Sequence, residues 1–68
     1  MNIHSILKER GWLYDKDETS CIAYIYGIYD LWYYPEKKYL EIESEEHGYH
    51  YKGYIQTEEQ LIEALPFI

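Results

Sequence analysis

The chain has 68 residues and a formal net charge of −7, from thirteen Asp and Glu against six Lys and Arg. That length allows one domain, residues 1–68, with a single small core. The acidic balance argues against direct binding of nucleic acid or of an anionic membrane, both of which need a positive face, and favours a protein partner with a basic surface.

The single cysteine, Cys21, leaves no intramolecular disulfide to form, so a reducing, cytoplasmic setting is expected. No apolar h-region follows His4, Lys8 and Arg10, and no run approaches the roughly 20 apolar residues of a membrane span. Neither a leader nor a membrane association is therefore expected.

The first element is a helix over residues 2–10, with Ile3, Ile6, Leu7 and Arg10 on one stripe. Asn2 is its N-cap, and Gly11 stands where a left-handed residue ends a helix. Trp12 and Leu13 follow as docking residues. Residues 15–20 read as a polar connection; Asp15, Asp17 and Glu18 lack the glycine and distant glutamate of a calcium loop.

Residues 22–55 are rich in aromatic and β-branched types, punctuated by turn residues, and read as an antiparallel sheet. Residues 20–26 and 28–34 form two strands about a tight turn at Tyr26-Gly27, or one strand with a bulge there. Along 28–34, Ile28, Asp30, Trp32 and Tyr34 share one face, and Tyr29, Leu31 and Tyr33 the other. Both faces are largely apolar, as in a central strand. A four-residue loop begins at Pro35. In residues 39–45, Leu40 and Ile42 face in, and Tyr39, Glu41, Glu43 and Glu45 face out. After Glu46-His47-Gly48, the strand 49–55 sets Tyr49, Tyr51 and Ile55 against His50, Lys52 and Tyr54.

The second helix starts with a capping box of Thr57 and Gln60, and with Ile55 and Leu61 as an apolar clasp. Leu61, Ile62 and Leu65 form its buried stripe, Pro66 ends it, and Phe67-Ile68 is an apolar tail expected to tuck against the core. The fold class expected is α+β: helix, a three- or four-stranded antiparallel sheet, then helix, with both helices packed on one sheet face.

Two features single out a binding surface. Glu41, Glu43 and Glu45 lie on one strand face at about 6.8 Å spacing, and Glu46 extends the row. Such carboxylates can occupy a basic groove where phosphates would sit, or merely solvate an outer strand. Ten tyrosines are the second feature. One small core cannot hold them all, and tyrosine is enriched at protein interfaces. The candidate partner-binding residues are Glu41, Glu43, Glu45, Glu46, Tyr39, Tyr49 and Tyr51.

Glu45, Glu46, His47 and His50 do not make a metal site, because strand alternation sends neighbours to opposite faces. His4 has no evident partner. With no nucleophile–base pairing, P-loop, GxGxxG or paired-cysteine motif, neither an enzyme nor a cofactor is expected.

By its short length, acidity and tyrosine content across the whole chain, the protein looks like the small inhibitors that phages use against host defences or host enzymes. It also looks like immunity proteins that neutralise nuclease toxins. That likeness implies a non-enzymatic inhibitor resting on the basic surface of a nuclease or other nucleic-acid-binding protein, and carries no residue roles. The competing expectation is a structural domain whose tyrosine-rich sheet face forms a homodimer.

Overall fold

In a computed structural model, which describes residues 2–46 and 48–66, the chain forms a five-stranded antiparallel sheet with one helix before it and one after. Helix α1 spans Ile3–Glu9 and α2 spans Glu58–Ala64. The strands are β1 (Leu13–Asp17), β2 (Ile22–Tyr26), β3 (Tyr29–Tyr34), β4 (Tyr39–Ser44) and β5 (Tyr49–Tyr54), and they lie side by side in chain order. The strand count therefore corrects the expected three or four.

The added strand is β1, which takes in Leu13 and half of the expected polar connection. All five of its residues are exposed, and a bulge interrupts its pairing with β2 between Tyr14 and Lys16. An edge strand of this kind buries no side-chain row, so it leaves no apolar alternation to read. Trp12 docks as expected and is 2 % exposed, whereas Leu13 points outward and is 70 % exposed.

The ends of α1 follow its local chemistry. The Asn2 side chain accepts from the Ser5 N–H at 3.1 Å. At the other end Gly11 has φ +93°, the Gly11 N–H donates to Lys8, and the Trp12 N–H donates to Leu7. These two bonds make a Schellman stop, which joins Leu7 and Trp12 within the core. On α2 the capping box is complete: Thr57 accepts from the Gln60 N–H, and the Gln60 side chain accepts from the Thr57 N–H. Ile55 and Leu61 are both fully buried.

The hairpins fix the register. Tyr26 pairs with Tyr29, so Gly27 and Ile28 alone form the β2–β3 turn, with Gly27 at φ +58°. Glycine at the first position with positive φ suits the tight turns that match strand twist. Tyr34 pairs with Tyr39 across the four-residue loop 35–38. Ser44 pairs with Tyr49 at the next turn, where His47 lies outside the described residues, as do Phe67 and Ile68.

The core lies against one face of the sheet. It joins Ile3 and Leu7 of α1 and Leu61 and Ala64 of α2 with Tyr24, Leu31, Leu40 and Ile42. Ile22, Tyr29, Tyr33, Tyr49 and Tyr51 pack around it, and all share the facing of Leu31 and Ile42 in the strand register. None of the oppositely directed strand residues belongs to this cluster.

Candidate functional site

That opposite face is the candidate site, and its layout follows from the register. The middle row runs Lys16, Ala23, Trp32, Glu41, Lys52 across the five strands. On one side lies the row Leu13, Ile25, Asp30, Glu43, His50. On the other, Tyr34, Tyr39 and Tyr54 stand on β3, β4 and β5. Their rings meet at centroid separations of 5.8 and 5.1 Å. Acids thus occupy the central strands β3 and β4, bases the edge strands, and a tyrosine row closes one end.

The apolar content of this face is substantial. Leu13 and Tyr54 are 70 % and 64 % exposed, and Trp32, Tyr34 and Tyr39 are half-buried. Ala23 is buried beneath its neighbours although it lies outside the core cluster. Burial, and next the Glu41 carboxylate, pushes the Tyr34 phenol above its ordinary value. The Glu41 charge is therefore felt across the strand pair.

Of the expected binding residues, Tyr39, Glu41 and Glu43 share this face. Glu45 and Glu46 are exposed in the turn at its Asp30–Glu43 end. Tyr49 and Tyr51 lie on the other side of the sheet, half-buried against the core. The Tyr49 hydroxyl donates to Ala64 at 2.6 Å, and the Tyr51 ring folds over Gly53, where an added Cβ would stand 2.6 Å from its hydroxyl. Both rings are engaged inward and do not extend the carboxylate row. Trp32, Tyr34 and Tyr54 take their place. Strand alternation had already put Trp32 and Tyr34 with Asp30; the register with β4 was needed to set them beside Glu41.

Two smaller features lie elsewhere. A cleft of about 440 Å³ between the β1–β2 and β3–β4 turns is lined by Asp17, Glu18, Thr19, Ser20, Cys21 and Glu36, among others. Cys21 is buried, its thiol donates to Glu18 at 3.6 Å, and burial followed by Glu18 pushes its pKa up. A thiol so placed is a poor nucleophile. On the helix side, His4 does have a partner: its Nδ1 lies 3.2 Å from the Tyr24 hydroxyl, with Tyr14 edge-on to both rings. Twenty residues of separation hid that contact from sequence reading.

Among the described residues no three His, Cys, Asp or Glu side chains converge as metal ligands, and no helix is long and apolar enough to cross a membrane. No family model, curated protein or solved structure matches the chain. What the fold defines is a small α+β protein with one sheet face on its core and one face open.

Proposed function

We propose that this protein is a non-enzymatic binding module of the inhibitor kind, which lays its open sheet face on the basic surface of a nuclease or other nucleic-acid-binding protein. The observation that carries this reading is the composition of that face. Half-buried Trp32, Tyr34 and Tyr39 supply rigid contact area, and Asp30, Glu41 and Glu43 supply charge beside them. Aromatic anchors ringed by complementary charge are how stable protein interfaces are built. The net charge of −7 steers the protein toward a positive partner.

The charge layout opposes two of the ways in which this face could pair with a second copy. A two-fold axis through Trp32 parallel to the strands lays Lys16 over Lys52 and Asp30 over Asp30. An axis along the middle row lays Glu41 over Glu41 and each lysine over itself. Neither stack brings opposite charges together, so self-pairing about these two axes is opposed; an axis between β4 and β5 would instead lay Glu41 over Lys52 and Glu43 over His50.

The test is affinity capture from a lysate of the source organism, with nucleic acid as competitor and Glu41→Lys/Glu43→Lys as a second bait. Support is a nucleic-acid-binding protein that DNA or RNA displaces, that the reversed bait loses, and that a Glu58→Lys/Glu59→Lys control retains. Equal capture by all three baits, or recovery of the bait alone as a dimer, overturns the reading.

A further inference from the structure

We infer that the open face takes one particular group from its partner: an arginine guanidinium laid on the Trp32 ring and held at its rim by Glu41 and Glu43. This rests on the proposed basic-partner reading and names the chemistry at its centre. Trp32 stands midway along the middle row of the sheet, with two strands on either side. Its neighbour on β2 is Ala23, which is too short to cover an indole; its neighbour on β4 is Glu41. Glu43 is one row away on β4, and Asp30 is two residues away on β3.

The two tryptophans divide the labour. Trp12 is 2 % exposed and belongs to the core, whereas Trp32 is half-buried outside it. A half-buried indole bordered by carboxylates is an electron-rich surface inside a negative field. A cation over such a ring gains about 0.5–1 kcal/mol when exposed and more when desolvated. Guanidinium fits better than ammonium, because it is planar, weakly hydrated and able to bind a carboxylate while stacking. The protein's own bases flank the same carboxylates, so a bound guanidinium has to compete with them. The Lys16 amine lies 3.7 Å from Glu18, beyond the end of the row, whereas Lys52 and His50 on β5 stand opposite Glu41 and Glu43 and offer no planar fork to stack on the Trp32 ring.

The experiment titrates 15N-labelled protein with tetraarginine and with tetralysine peptides, following the two indole N–H signals. We expect the Trp32 signal to move saturably while that of Trp12 stays, and tetraarginine to bind about two- to fivefold tighter than tetralysine. Trp32→Leu should erase that preference, with the unchanged Trp12 signal showing an intact core. An unmoved Trp32 signal, or a preference that survives Trp32→Leu, overturns the guanidinium site. If both peptides bind equally and both are lost in Glu41→Lys/Glu43→Lys, the guanidinium site falls and the basic-partner reading stands. If charge reversal leaves peptide binding unchanged, both fall.

Discussion

The Tyr49 hydroxyl donates to the Ala64 carbonyl at 2.6 Å, tying the edge strand β5 to the last turn of α2. Ala64 lies at the C-terminal end of the helix, where carbonyls lack an intrahelical donor. The bond supplies one and holds the helix against the sheet. Tyr49→Phe keeps the ring and its edge-on contact with Tyr29, 6.1 Å between centroids, and removes only the hydroxyl. The loss should be about 1 kcal/mol, seen as a drop in Tm of about 4–8 °C. Thermal unfolding followed by circular dichroism checks it; an unchanged Tm would mean water serves the carbonyl as well.

Two glycines with positive φ should respond differently to alanine. At Gly11 (φ +93°) an added Cβ would lie 2.7 Å from Cε2 of Tyr26, so both the backbone and a packed ring oppose it. At Gly27 (φ +58°) the space is open, and only the backbone term applies. Gly27→Ala should cost about 1–2 kcal/mol, and Gly11→Ala more. Chemical denaturation of the two variants gives the order directly; the reverse order would show that the Tyr26 ring swings aside at no cost.

Alkali should unfold the protein early. Burial raises the phenols of Tyr24, Tyr33 and Tyr49 above the ordinary value of 10.0. In the unfolded chain these groups lose their protons near pH 10, before the folded ones do, so the unfolded state binds fewer protons there. The stability they contribute is complete below that pH and is lost as pH rises through the folded values. Denaturant midpoints should hold steady from pH 7 to 9 and fall above 10, with phenolate absorbance rising alongside. A flat profile to pH 11 would contradict the burial of these rings.

Glu43 should trade stability for binding. It sits directly opposite Asp30 in the β3–β4 register, a like-charged cross-strand pair. Glu43→Gln should raise stability by no more than about 0.5 kcal/mol at low salt, with the gain vanishing in strong salt. The same change should weaken capture of the basic partner. A variant that loses stability would show that His50, opposite Glu43 on β5, outweighs Asp30.

Much of the frame was legible in the chain because its signals are local. The Asn2 cap, the Gly11 stop and the Thr57–Gln60 box each involve residues within a few positions, and each is present as read. The alternation of Leu40 and Ile42 against Tyr39, Glu41 and Glu43 also stands, whereas the break left open between a turn and a bulge at Tyr26-Gly27 is a turn one residue further on, at Gly27-Ile28, which takes Ile28 out of β3. β1 was illegible for a physical reason. It is held by backbone pairing with β2, and its side chains at the exposed edge carry no burial pattern.

The candidate site divides in the same way. Local alternation by itself determined that Tyr39, Glu41 and Glu43 share a side of β4, and that Asp30, Trp32 and Tyr34 share a side of β3. Only the tertiary structure decided that these two sides are one surface, and that Tyr49 and Tyr51 belong to the other. The sense of a strand's alternation is written along its own residues. Which sense meets the helices depends on register between strands and on where the core closes, and both are settled by contacts distant in sequence.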